Sequence, residues 1–410
     1  MTEETDALGG PVRPPVRDWP ALDLAGTEFD PVLADLMREG PLTRIRLPHG
    51  DGWAWLATRH EDVRSITTDP RFSRAALMRR QVTRLAPHFS PRPGSLAFAD
   101  QPDHNRLRRP VAEVFTPAAA QRLRPRAQEI LDALLDSLVR DGPPADLVGR
   151  VLEPFPVAVV SEVMGVPVAE RDRVHAWTRR IVSTSGGAEA AGRAKDGLYG
   201  WITGTVRARA GRAGRPDGSV YSLLGAEVTR GGISEEEAVG LAGPLQIGGE
   251  AVTHNCGQLL FLVLTRPDLL DRLRERPEER DTVLEELLRY VPHRSSVGLA
   301  RIALEDVTLR GARIRAGEAV YVSYLAANRD PEVFPDPDRI TPGRDPNPHL
   351  AFGNGPHHCT AAVLGRLLTG LVVGTLLDRL PELRLAVPSE EVPWRRKTMI
   401  RGPQALPVTW

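Results

Sequence analysis

Apolar residues recur every three to four positions through most of the first 290 residues, the period of amphipathic helices packed on one face. The spacing predicts helices over 30–39, 61–68, 101–114, 117–141, 147–164, 170–183 and 189–213. A further run opens at Ser234 with three glutamates, a capping-box start, and keeps its apolar stripe to about residue 265. At ~1.5 Å per residue that run makes a helix of about 45 Å, long enough to cross a whole domain. Two short alternating runs, 42–48 and 52–59, predict a hairpin turning at His49-Gly50-Asp51-Gly52. After residue 292 short strands take over across 306–324, and an irregular Pro/Asp-rich stretch fills 330–348. One more helix, 360–380, precedes a strand-like tail. No repeat and no low-complexity linker divides the chain. The pattern reads as a single α+β domain, mainly α, over 21–410, behind an N-terminal arm of residues 1–20 that carries four prolines.

Composition narrows the classes. Of 410 residues 41% are hydrophobic and 26% charged, which is globular, and 53 basic against 53 acidic residues leave no electrostatic footprint for nucleic acid or an anionic membrane. The acidic N-terminus lacks the basic and apolar regions of an export signal. The uncharged apolar stretch 367–377 is eleven residues long, short of the roughly 18 that span a membrane. A cytoplasmic protein is expected. The two cysteines, Cys256 and Cys359, exclude a disulfide-stapled scaffold and an all-cysteine zinc or iron–sulfur site.

Chemistry concentrates between His349 and Cys359. The segment HLAFGNGPHHC is a glycine-punctuated loop that delivers one cysteine to the start of a long apolar helix. A helix N-terminus offers unpaired N–H groups and positive dipole potential, both of which favour a thiolate over a thiol. Gly353 and Gly355 admit close approach or positive φ where a side chain would strike a flat macrocycle. A single thiolate held this way suits the axial position of a heme iron, because thiolate donation favours O–O cleavage. Two other readings stand beside it. A lone buried cysteine is usually an inert small hydrophobe. His349, His357, His358 and Cys359 also offer zinc ligands, although the adjacent His357-His358 pair sits poorly with ligand spacings of two to five residues. Cys256, inside a helical run with no glycine-rich loop, reads as a packed helix residue.

The order Phe352-Gly353-x-Gly355-x-His357-x-Cys359 resembles the heme-binding loop of the cytochrome P450 family, and further matches follow in the family's order over nearly the whole chain. The resemblance implies the P450 fold, with heme b between two central helices and Cys359 as the iron's ligand. Glu286-Leu-Leu-Arg289 is similar to the family's Glu-x-x-Arg helix, and Asn328-Arg-Asp-Pro331 also matches. In family members an arginine from the irregular stretch completes that pair, here most like Arg339. His104 and Arg108 stand at i, i+4 on one helical face. The resemblance makes heme propionates their partners, with Arg301 and His357 as further contacts. Ala361 stands where the family usually has glycine, a small-for-small change that still permits close packing under the ring.

The central helical run departs from the family pattern. Members usually carry small-Gly-x-acid-Thr, the acid and the alcohol relaying protons for dioxygen cleavage. This chain reads Gly248-Gly249-Glu250-Ala251-Val252-Thr253, with alanine for the acid and valine for the alcohol. Glu250 and Thr253 flank those positions, but one residue turns a helix by about 100°, so neither simply substitutes. Protons then come through water, through Glu250 after local unwinding at the glycines, or from a polar substrate. Two reaction types follow: monooxygenation such as hydroxylation or epoxidation, or oxidative C–C or C–N coupling without oxygen insertion. A non-catalytic heme sensor is the remaining class.

The resemblance puts substrate contacts at 75–98, 178–198, 295–299 and 398–400, including Met78, Val82, Leu85, Phe89, Leu96 and Phe98, and implies a small natural-product substrate of secondary metabolism. No G-x-G-x-x-G follows a strand, so no flavin or nicotinamide module is expected. Electrons are expected from ferredoxin and ferredoxin reductase, docking on Arg109, Arg122, Arg124, Arg126, Arg344 and Arg366.

Overall fold

A computed structural model describes residues 13–20, 23–86, 92–183, 187–211, 216–294 and 297–410. In chain order its helices are α1 Pro31–Glu39, α2 His60–Thr68, α3 Asp103–Arg108, α4 Pro117–Asp141, α5 Pro154–Met164, α6 Arg171–Val182 and α7 Gly187–Ala210. They continue as α8 Val220–Thr229, α9 Glu235–Leu264, α10 Pro267–Glu275, α11 Arg280–Tyr290, α12 Tyr324–Ala327 and α13 Ala362–Arg379. The strands are β1 Val16–Asp18, β2 Leu42–Arg46, β3 Ala54–Ala57, β4 Phe72–Ser73, β5 Ala145–Asp146 and β6 Arg301–Ala303. They continue as β7 Val307–Leu309, β8 Ala312–Ile314, β9 Ala319–Val322, β10 Arg384–Leu385 and β11 Pro407–Thr409. The fold is α+β and mainly α. Six strands form one sheet in the order β1-β2-β3-β9-β6-β4, and smaller sheets join β10-β11-β5 and β7-β8.

The expected hairpin is β2–β3, antiparallel with Leu42 opposite Ala57. The end of the N-terminal arm joins the sheet: residues 16–18 pair parallel with β2 as its edge, and the next residue, Trp19, is buried. Its indole N–H donates to Asp30 Oδ2 at 2.7 Å, and Asp30 also caps α1 by accepting from the Val32 N–H at 2.8 Å. Two expected helices are broken by proline. The 101–114 run is α3 followed by 3₁₀ turns over Arg109–Phe115, because Pro110 has no N–H for an α-helical bond. The 147–164 run begins as π-helical turns over Val148–Leu152 and becomes α5 at Pro154. Helices α8, α10 and α12 fall outside the helices that the spacing predicts.

Helix α9 runs through the centre. Its Ser234 capping box is formed on both sides, and it stays helical across Pro244, Gly248 and Gly249. Glycine lets its neighbours approach: a Cβ at Gly240 would stand 2.5 Å from the Gly94 carbonyl carbon. The main core joins α4, α5, α9, α11 and α13 through side chains such as Leu135, Phe155, Leu259, Leu287 and Leu368. Cys256 belongs to that core, its Sγ 3.6 Å from Thr369 Oγ1, and burial pushes its thiol up to about 11. It is a structural residue.

Candidate functional site

One face of α9, carrying Leu241, Pro244, Leu245, Gly248, Gly249 and Val252, walls a cavity whose opposite side is His357, His358, Cys359, Ala361 and the first turn of α13. These α9 positions recur at three- and four-residue steps and form one stripe. Glu250, Ala251 and Thr253 lie off that stripe and do not line the cavity. Because α9 is unbroken, Glu250 is not swung inward by unwinding at the glycines.

The loop is closed by the Cys359 N–H, which donates to the Phe352 carbonyl at 2.8 Å. Gly353 and Gly355 have φ of 79° and 71°, a region that favours glycine. At Gly355 the demand is also steric, since a Cβ would stand 2.6 Å from the Thr67 carbonyl oxygen. That glycine seats the loop on α2, a role not tied to any macrocycle. Cys359 opens onto the cavity and is exposed there, while protein surrounds it on the other sides. Burial pushes its thiol up, and the Ala361 N–H with the charges of Arg294, Arg108 and Arg366 pulls the other way. Burial outweighs the helix-start effect expected from the sequence.

Behind the loop lies a buried ion network. Arg289 donates to Glu286 twice at 2.8 Å, and both side chains are fully buried. The third member is Arg344 rather than Arg339. Arg344 Nε lies 3.1 Å from Glu286 Oε2, while Arg339 offers only its backbone carbonyl, which accepts from Arg289 at 2.9 Å. Both arginines sit in the irregular stretch, and sequence spacing does not choose between them. Arg289 also donates to the carbonyl of Asn328, whose side chain accepts from the Leu350 N–H at 2.6 Å. The network therefore reaches the start of the loop. Arg344 is only 8% exposed and leaves the expected docking face. Arg126 pairs with Glu162 and Glu129, and Arg366 pairs with Glu285. Arg109, Arg122 and Arg124 are exposed.

Beside the cysteine the rings of His104 and His357 meet edge to face, 4.6 Å between centroids. Burial first, then the charges of Arg74, His104, Arg301 and Arg108, push His357 down to about 2. Arg108 donates to the Pro356 carbonyl at 3.3 Å. Arg301 is buried with both terminal nitrogens unpartnered among the described residues, as are His104 Nδ1 and Arg74 Nε. Asp100 is engaged by Ser73 and by the backbone N–H of Arg74. Burial and the charge of Arg301 pull Arg74 down to about 9. Clustered cations with orphaned donors fit an anion with several acceptor oxygens, and the two carboxylates of a heme meet that demand. Arg74 belongs to no sequence motif, and only the fold brings it here.

Glu250 is buried against α6. It accepts from Thr178 Oγ1 at 2.6 Å, and His175 Nε2 lies 3.3 Å from the same oxygen. Burial pushes its carboxyl up to about 7, with Thr178 opposing and the charge of Glu153 adding. Thr178 is thus tied to α9 and not to the cavity. Of the expected substrate contacts, Leu96 lines the main cavity. Val82, Leu85, Phe98 and Leu299 line a second pocket that also holds Arg80, Arg84 and Arg294. Met78 is corrected, being 38% exposed and in neither lining. Phe89 and Ser295 lie outside the described residues.

The profile of the cytochrome P450 family matches residues 280–398, the span that holds the Glu286 network and the Cys359 loop. Biflaviolin synthase of Streptomyces coelicolor is 74% identical over the whole of both chains. Mycinamicin IV hydroxylase/epoxidase of Micromonospora griseorubida is 40% identical over 96% of this chain and 98% of its own. A solved cytochrome P450 described as having biaryl coupling reactivity superimposes with a TM-score of 0.91 at 41% identity, covering 97% of this chain and 100% of that one. Fold and site define a heme-thiolate oxidoreductase. The chain belongs to the cytochrome P450 family, in which a cysteine thiolate ligates the heme iron. It is a cytochrome P450 oxidoreductase, so the sensor reading falls. The zinc reading falls too: His349 turns to Glu285, and heme is the family's cofactor. Among the described residues no helix is long and apolar enough to cross a membrane.

Proposed function

We propose that this enzyme joins two small aromatic molecules by oxidative coupling, with Cys359 as the iron's ligand. The observation that carries the reading is the cavity face of α9, where Gly248, Gly249 and Val252 stand and no carboxylate or hydroxyl of that stretch does. The 74% identity to a biflaviolin synthase supports it, as does the likeness to a structure with biaryl coupling reactivity. When bound, the heme supplies dioxygen activation and removal of electrons from substrate, with thiolate donation favouring O–O cleavage. Arg74, His104, Arg108, Arg301 and His357 would hold its carboxylates, and Phe352, Gly353 and Ala361 shape the loop around it.

The apolar stripe of α9 packs against flat rings and excludes an ordered relay. Protons therefore come from water or from the substrate's own hydroxyls. Arg80, Arg84 and Arg294 give the second pocket cations suited to ionised phenolic oxygens. Joining two rings forms one C–C bond and breaks two C–H bonds, releasing two protons and two electrons. With two further electrons from a donor and two further protons, one dioxygen becomes two waters. The donor in this reading is a ferredoxin served by its reductase, docking at Arg109, Arg122 and Arg124. Residues 21–410 act as one heme domain.

A second reading, monooxygenation, draws on the 40% identical hydroxylase/epoxidase. Turnover of a small polyhydroxylated aromatic with ferredoxin and reductase separates the two by mass. Coupling gives twice the substrate mass less two hydrogens. A product of substrate mass plus one oxygen, with no joined product, would falsify the coupling assignment.

A further inference from the structure

A second charge cluster supports the Cys359 loop outside the Glu286 network. Glu285, on α11, accepts two hydrogen bonds from Arg366 of α13, at 2.6 and 2.9 Å. His349 Nε2 lies 2.8 Å from the same carboxylate. The Ala351 N–H donates to His349 Nδ1 at 3.3 Å, so Nδ1 is an acceptor and Nε2 is the nitrogen that donates to Glu285. Glu285 and Arg366 form the carboxylate–guanidinium pair of this cluster. Burial pushes the Glu285 carboxyl up, but the hydrogen bonds from His349 and Arg366 outweigh it and bring it down to about 2. It is ionised at any ordinary pH.

Arg366 is 38% exposed, and a free arginine so placed would sample water with its charge screened. Here the fork on Glu285 holds one side while the guanidinium lies 4.3 Å over the Phe352 ring. Phe352 is the residue whose carbonyl takes the Cys359 N–H at 2.8 Å. A full positive charge is therefore fixed one residue's contact away from the thiolate position. Burial and hydrogen bonding around a ligand are among the levers that set an iron's potential.

We propose that Glu285 is a positioning residue that sets the iron's reduction potential, by holding Arg366 against the Cys359 loop and cancelling much of its field. A cation there favours the reduced state, which carries one more negative charge, and the carboxylate opposes it. The inference rests on Cys359 being the iron's ligand.

The test is the midpoint potential of the heme-loaded full chain, titrated spectroelectrochemically at low and high salt, with the carbon monoxide spectrum recorded for each variant. Glu285→Gln keeps an acceptor for Arg366 and removes only the charge, so the potential rises. Arg366→Gln lowers it, and the double variant lies between. Both shifts shrink with added salt, since the cluster is partly exposed. Shifts of the same sign, or no shift in either variant, overturn the proposal. So does loss of the thiolate-shifted band in Glu285→Gln, which makes the cluster a prop for the loop. Absence of that band in the unaltered enzyme would instead sink the ligand assignment.

Discussion

The two walls of the cavity follow opposite plans. On the cysteine side polar groups interlock: Glu286 with Arg289 and Arg344, Glu285 with Arg366 and His349, and Cys359 with the Phe352 carbonyl. On the α9 side the surface is glycine, proline, leucine and valine, and the buried Glu250 faces α6 instead. The contrast teaches that ligand and cofactor depend on a rigid polar scaffold. In the coupling reading proposed above, reaction type depends on what the apolar wall lacks.

The largest effect expected from breaking this contrast is at the ligand. Cys359→Ser should abolish both the thiolate-shifted carbon monoxide band and turnover. Cys256→Ser should keep the band and cost about 1–3 kcal/mol of stability, for burying a hydroxyl in the core. Absorbance and denaturant unfolding check the pair. Next is the scaffold. Glu286→Ala leaves Arg289 buried and uncompensated and should cost about 3–5 kcal/mol, read by thermal unfolding and heme release. Arg339→Ala, which keeps its backbone carbonyl, should stay within about 0.5 kcal/mol.

The distal side gives a pH signature of similar origin. Burial pushes the Glu250 carboxyl from an ordinary 4.5 up to about 7 in the folded chain. Its contribution to stability is fully present below 4.5 and is lost as pH rises through 7, an amount of about 3 kcal/mol. The stability difference between the unaltered enzyme and Glu250→Gln should therefore fall across that window. A flat difference would mean that Glu250 is not buried as described. A smaller effect, on product ratio rather than on stability, is expected from Val252→Thr, which puts a hydroxyl on the cavity stripe. One hydrogen bond is worth about 1 kcal/mol, so the ratio of oxygen-inserted to coupled product should rise roughly fivefold. Mass spectrometry of the products reads it.

How far each wall was legible follows from how its information is stored. Phe352 to Cys359 is a contiguous motif, and the spacing of Glu286 and Arg289 places both on one helical turn. Arg344 against Arg339 was not legible, because a loop without period lets either arginine reach α11. Arg74 was not legible either, since residues far apart in sequence meet only when β4 and β6 pair beside α3. The register of α9 exposed the missing acid and alcohol at Ala251 and Val252, and their absence from the relay needed no fold. The partner of Glu250 did, because α6 is some 70 residues away in the chain. The broken helices near 109 and 150 carried their signal in Pro110 and Pro154, which the apolar period overrode.

The most direct test of the central claim is turnover under isotopically labelled dioxygen. The account predicts that the joined product carries no label and that all of it leaves as water. Stoichiometric label in the product would contradict it and assign the apolar wall of α9 to a monooxygenase.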